Sequence, residues 1–489
     1  MRHVSLPHAL LTGLAIPATV IATVAATGGA AQAVGPGAAS SCTVTWVGGG
    51  STTLWANAQN WSTGQVPGPA SDVCMTPFDF VTANVPVRIH SLQVGAEMTV
   101  IFEGTAGHPA QVHIATMLDN AGNVELDNAV LSVPQLDNRN GVDSQGTSVL
   151  TSPAFHNGGS VFALAGSLTL TDSLAQLSNG ALASGSWGAL DNGTLVLPGD
   201  VTSLKSGEIS LGLGSAIDDP AHGIALARLG SIGPGATLAL AETSLSLAGN
   251  LAADGNVDVG GYDGSANLTV AGTLTQANGT LAMVNQSTVT ARTVTIDPGA
   301  SLSATGTITG NLVNNGSVAS RVSVTGSYTQ AASATLSAGF GSELMVGGKA
   351  TLAGTLVARK APPPAPGTAS TAITFASASG GFTSHSLGFN LVTGAHQIGV
   401  VAQTQIAATA ATVAPGGEVT VNGGDFGLDS SVTVFVDQAG GTALGTARAS
   451  VYGEVTVTGN IPSSLPPGTH KLIAVDSDGR RATTTITVS

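Results

Sequence analysis

The sequence is short of charge and of aromatic rings. Only 9% of its 489 residues are Asp, Glu, Lys or Arg, and 4% are Phe, Trp or Tyr. Lys and Arg number 14 against 28 Asp and Glu, a formal net charge of −14. No basic stripe exists to neutralise phosphates, so nucleic acid is not an expected partner. The acidic balance reads first as solubility. After the N-terminal segment, no apolar run is long enough to span a bilayer, so no transmembrane segment is expected in the mature chain. His-Glu-x-x-His and Gly-x-Ser-x-Gly are absent, which removes the commonest zinc-hydrolase and nucleophile-elbow signatures. No Leu-Pro-x-Thr-Gly sorting motif is present either. No cofactor and no metal are expected.

What the chain has is glycine, 66 residues of it, among Ala, Ser, Thr, Val and Leu. From about Gly299 to Val357 short alternating runs are broken by Gly or Asn-Gly every few residues. Period-two alternation puts Leu302, Ala304 and Ile308 inward and Ser and Thr outward. Gly306, Gly310 and Gly316 are expected where the backbone turns. Turns feeding strands recur at Asn120, Asn157-Gly, Asn179-Gly, Asn192-Gly, Asn278-Gly and Asn315-Gly. Strands of ~4–6 residues with three turns give a coil of about 20 to 25 residues per rung. The fold class expected is all-β: a parallel β-helix, or solenoid, followed by a small β-sandwich.

Residues 1–33 read as a secretory signal peptide, with Arg2, an apolar core from Ala9 to about Ala26, and Ala31-Gln32-Ala33 at the cleavage site. A retained membrane anchor is the alternative. Secretion makes one disulfide the simplest use of Cys42 and Cys74, with a two-cysteine metal site as the other option. Closing a loop of about 33 residues contributes ~3–4 kcal/mol in the chain-entropy picture. Trp46, Trp55 and Trp61 fall in the same N-terminal unit, 34–84. An open solenoid end exposes strand edges and core, and flat aromatics cover it well. The other use of the rings is stacking on sugars.

The solenoid body is expected over 85–402, with Val87-Arg-Ile-His-Ser-Leu-Gln-Val and Met98-Thr-Val-Ile-Phe-Glu as its first regular strands. The polar stretch holding Asp119, Asn120, Asp127, Asn128, Asp137, Asn138 and Asn140 reads as an asparagine ladder, with calcium as the alternative. Asp218, Asp219 and His222, with Arg228, are the catalytic candidates. A glycosidase needs carboxylates from neighbouring rungs. Neighbours on a strand face opposite ways, and Pro220 favours a loop, so turn chemistry competes. Arg359-Lys360-Ala-Pro-Pro-Pro-Ala-Pro-Gly reads as a surface loop between the last rungs, or a linker.

Over 403–489 about seven short strands are spaced by Gly, Pro and Asp, the spacing of an Ig-like sandwich. Its core by alternation is Val419, Val421, Phe426, Val432, Val434, Val436, Leu472, Ala474, Ile486 and Val488. Asp476 and Asp478 near Asp437 are either solvated turn residues or a calcium site.

Four resemblances add to this reading. Val324-Thr-Gly-Ser-Tyr-Thr-Gln-Ala, Ala334-Thr-Leu, Ser342-Glu-Leu-Met-Val-Gly-Gly-Lys and Phe375-Ala-Ser-Ala-Ser-Gly-Gly-Phe resemble the end of an autotransporter passenger β-helix, over roughly 255–402. That implies a right-handed coil; the autotransporter's own membrane barrel has no counterpart here. Trp46-Val-Gly-Gly-Gly, Trp55-Ala-Asn-Ala-Gln-Asn-Trp and Gly64-Gln-Val-Pro-Gly resemble the opening of large bacterial surface β-helix proteins. The C-terminal Pro415-Gly-Gly-Glu-Val-Thr-Val and Leu465-Pro-Pro-Gly-Thr-His resemble IPT/TIG-type modules. The Asp, His and Arg types at 218–228 echo a polygalacturonase site. The resemblances imply a secreted, adhesin-like structural protein that meets polysaccharide or a cell surface, with a carbohydrate-active enzyme as the alternative.

Overall fold

A computed structural model describes residues 42–76, 79–261 and 264–489. The signal-peptide reading therefore lies outside the described residues. The chain is nearly all β, 58% strand and 1% helix, and winds as a β-solenoid of about 13 turns. Adjacent rungs pair in parallel. One face stacks Asp79–Ala83, Met98–Glu103, Asn123–Asp127, Gly141–Gln145, Ser160–Ala163, Ser186–Ala189, Gly207–Leu211, Ala236–Leu240 and Asn256–Val259. A second stacks Ala129–Ser132, Thr147–Thr151, Ser167–Leu170, Thr194–Val196 and Ala216–Asp219. The third includes Gln135–Asn138 and Ala154–Asn157.

Alternation sets the interior, as the sequence predicts: Leu302, Ala304 and Ile308 are buried. Gly316 lies at a bend between strands, as expected, but the other two glycines behave differently. Gly306 and Gly310 lie inside the strand Ser301–Asn314 rather than in turns. A Cβ at Gly306 would run into the Ser287 carbonyl, and one at Gly310 into that of Ala291. Rungs approach there too closely for any side chain, so glycine is required by the neighbour above.

Rung length varies more than the expected 20 to 25. Asn311 reaches Ser327, 16 residues on, whereas Ser203 meets Ser231 after 28 and Thr355 meets Ser384 after 29. The surplus forms excursions at the corners. One is the hairpin of Ala216–Asp219 with Gly223–Ile224. Another is the proline-rich loop, which runs between Thr355–Val357 and Ala369–Gly380. Its Pro363 is buried, in the path of any Cβ at Gly453.

Where the coil is regular, buried amides bridge its rungs. Asn120 Nδ2 donates to Asn138 Oδ1 at 2.8 Å, and Asn138 Nδ2 to Asn157 Oδ1 at 2.7 Å. Each also donates across to a backbone carbonyl, of Gly141 and Ser160. This ladder gives the buried amide N–H groups of Asn120 and Asn138 partners that burial would otherwise penalise them for lacking.

Cys42 and Cys74 form the disulfide. The tryptophans do not stand free for sugar stacking. Trp46, Trp55 and Trp61 are 1–2% exposed and pack edge to face, with centroids 5.0 and 4.8 Å apart. Trp46 Nε1 donates to Asp79 Oδ2 and Trp61 Nε1 to the Trp55 carbonyl. They belong to the solenoid's own core, which runs without a break from Val44 to Val400.

A second core, from Ile406 to Val488, lies between two sheets. Gln405–Ala408, Glu418–Gly424 and Val455–Asn460 form one; Thr412–Val413, Arg481–Val488, Gly468–Asp476, Ser431–Val436 and Ala443–Arg448 form the other. All ten core residues expected from alternation are buried. The calcium alternative is not assembled. Asp476 pairs in register with Val432, and Leu472, beside Asp437, with Val436 at the other end of that strand. Asp476 instead accepts from the Gly427, Asp478 and Arg480 amides, and Asp437 from Lys471 N–H while pairing with His470.

Candidate functional site

On the first face the outward column reads Glu125, Asp143, Phe162, Gly188, Ser210, Ala239, Asp258, each in register with the next. Strands 4.7–4.9 Å apart bring such neighbours into side-chain contact. Glu125 and Asp143 are like charges directly opposite, an arrangement that costs stability unless other groups compensate. Gln145 Nε2 donates to Glu125 Oε1 at 2.8 Å, and the Asn123 amide, turned to suit its neighbours, reaches Asp143 Oδ2 at 3.2 Å.

Above them Phe162 points out of the solenoid, yet its ring is half-buried. A Cβ at Gly188 would strike its Cε1 and Cδ1. One edge of the ring thus covers the bare backbone of the next rung. Two rungs further, Glu208 Oε1 accepts from Ser210 Oγ at 2.5 Å. Burial, and then the charge of Glu208, push the Asp258 carboxyl up to about 6. One face therefore carries an aromatic ring between two groups of carboxylates.

The sequence candidates lie elsewhere, on the hairpin excursion. Asp218 and Asp219 end a strand rather than sitting in a loop, so their side chains part: Asp218 is half-exposed and Asp219 buried. Only Asp219 and His222 come together. Asp219 Oδ1 accepts the N–H of Ala221 at 2.6 Å and of His222 at 3.0 Å. Its Oδ2 stands 3.3 Å from His222 Nδ1. Asp200, from the preceding rung, stands 3.5 Å from the same nitrogen and pairs with Arg228 at 3.2 Å. Asp219 is held below the ordinary carboxylate range: burial raises it, but backbone N–H donors and the Asp200 and His222 contacts more than offset that. With its side chain 1% exposed, Asp219 offers no free oxygen to a glycosidic bond. Asp200, Asp219 and His222 are the described residues grouped closely enough to hold a metal ion, their ligand atoms within 4.8 Å of one another.

Asp200 and the Glu125–Asp143–Phe162 column escape sequence reasoning because their partners lie one rung away, across rungs of unequal length. A shallow cleft of about 250 Å³ lies between Ala369–Gly380 and Gln397–Ala402, lined by Ser370, Thr371, Val392 and Gln397. No helix among the described residues is long and apolar enough to cross a membrane.

No family model matches the chain, and no curated protein does. Among solved structures it is similar to the chitinase ChiW of Paenibacillus sp. str. FPU-7, a bacterial cell-surface-expressed multi-modular enzyme machinery. The identity is 13% and the TM-score 0.14; the match covers 60% of this chain and 23% of that one.

Proposed function

We propose that the chain is a secreted, adhesin-like stalk that lays the first solenoid face along polysaccharide at a cell surface, without catalysing a reaction. The carrying observation is Phe162, half-buried with a ring edge over Gly188, in an outward column with the half-buried Glu125 two rungs beneath it; Asp143, between them, is buried and only 7% exposed. An aromatic face takes the apolar side of a pyranose, and acceptors beside it take the hydroxyls. The carboxylates and the net charge of −14 favour neutral or amino sugars over uronic acids. The C-terminal module, read as an Ig-like unit of the IPT/TIG type, serves as spacer or dock. The disulfide suits an oxidising, extracellular setting.

A glycan array and a cell-wall pull-down with the mature protein test this. Binding should weaken roughly tenfold in Phe162→Ala, as expected when an aromatic contact of about 1–1.5 kcal/mol is lost. Binding to no glycan and no wall fraction would sink the reading.

One observation favours a carbohydrate-active enzyme instead. Asp258 is raised to about 6 by burial and then by the charge of Glu208 on the same surface, as the carboxyl of a general acid is raised. Release of reducing ends from a polysaccharide, abolished in Asp258→Asn, would establish that alternative; no release from any polymer would remove it.

A further inference from the structure

The 28-residue rung from Ser203 to Ser231 carries the hairpin and the loop after it. This excursion is anchored from below by Ala225, Leu226 and Leu229, all buried in the solenoid core. Its outer corner bears Asp219 and His222, and the preceding rung's corner bears Asp200. His222 Nδ1 faces Asp219 Oδ2 at 3.3 Å and Asp200 Oδ1 at 3.5 Å. Both distances are long for hydrogen bonds, and an N–H shared between two oxygens bonds each of them weakly. They suit another geometry. A tetrahedral zinc ion with bonds of about 2.0–2.1 Å holds its ligand atoms roughly 3.3–3.4 Å apart.

The remaining oxygens are already held in place. Asp219 Oδ1 is fixed by two backbone N–H groups and Asp200 Oδ2 by Arg228. Metal sites use such outer partners to orient their ligands. Two carboxylates balance a doubly charged ion, and the imidazole, 52% exposed, leaves a side open for water. An imidazole with only two carboxylates suits zinc rather than calcium, which takes six to eight oxygens.

We propose that Asp200, Asp219 and His222 bind one divalent transition-metal ion, zinc in the first instance, which pins the hairpin to the corner of the preceding rung. The site is independent of any glycan contact on the first face. Calorimetric titration of the chelator-treated full-length mature protein with zinc chloride tests it, with calcium and magnesium chloride as comparators. The expected result is one zinc per chain at micromolar affinity or tighter, little heat with the other two ions, and a melting temperature that rises with zinc. His222→Ala, at an exposed position, should weaken zinc at least roughly tenfold while the circular dichroism spectrum is unchanged. Asp200→Asn should weaken it as well, and tetrahedral cobalt(II) absorption should vanish in both variants. No zinc uptake by the wild type would overturn the proposal. So would uptake that His222→Ala leaves intact, because the ion would then sit on another histidine.

Discussion

Gly310 in the solenoid and Gly440 in the sandwich both have positive φ, at +137° and +78°. Their surroundings differ. At Gly310 a Cβ would enter the Ala291 carbonyl of the adjacent rung, whereas at Gly440 nothing lies within 4 Å. The sandwich glycine answers only to its own backbone, and the solenoid glycine also to a neighbour one turn away. The same contrast holds for polar groups. Asn138 is buried and bonded to two other rungs, while the Thr420–Thr458 hydroxyl pair of the sandwich, at 3.0 Å, stands in solvent. In the coil, specificity is stored between rungs; in the sandwich it is stored in each strand's alternation.

Three experiments press on that contrast. The largest effect is expected for Gly310→Ala, which adds a carbonyl clash to an unfavourable φ and should cost about 2–5 kcal/mol in urea unfolding. Gly440→Ala should cost about 1 kcal/mol. Equal losses would mean that rung contact at Gly310 adds nothing.

Next, Asn138→Ala removes the middle of the ladder and should cost about 2–3 kcal/mol, since buried amide groups on both sides lose a partner. Thr420→Val should stay within about 0.5 kcal/mol. A ladder variant as mild as the exposed one would show that the buried amides are readily rehydrated.

The smallest effect concerns pH. Asp258 in the solenoid and Asp425 in the sandwich are both raised to about 6, burial being the first cause in each. A raised folded-state pKa means the folded state holds the proton that the unfolded state releases. Stability is then full below about 4 and falls as pH rises through about 6. Asp258→Asn should flatten that fall for the solenoid by about 1–3 kcal/mol. The sandwich, where Arg480 partly offsets the burial of Asp425, should keep its slope. An unchanged solenoid profile in Asp258→Asn would assign the pH response to other groups.

Alternation made Leu302, Ile308 and the sandwich valines readable as core, because inward and outward are properties of a single strand. The asparagine ladder was readable in kind, since Asn120 and Asn138 sit in a polar stretch with little other use for buried amides. Columns were not readable. Whether Asp143 meets Phe162, or Asp219 meets Asp200, depends on how many residues each corner absorbs, and hydrophobic pattern does not encode that count. For the same reason Gly306 looked like a turn: glycine marks tight backbone, and only the adjacent rung reveals whether the tightness is a bend or a stack.

The Cys42–Cys74 bond has a mechanical consequence. Cys74 lies in the strand Asp72–Met75, which is in register with Ser91–Val94 of the next rung. Tension applied upstream of Cys42 passes through the sulfurs straight into that strand. The intervening loop, with Trp46, Trp55 and Trp61, is left slack. Under load the first segment to peel is then a laddered strand, and the aromatic plug stays seated until that strand gives way.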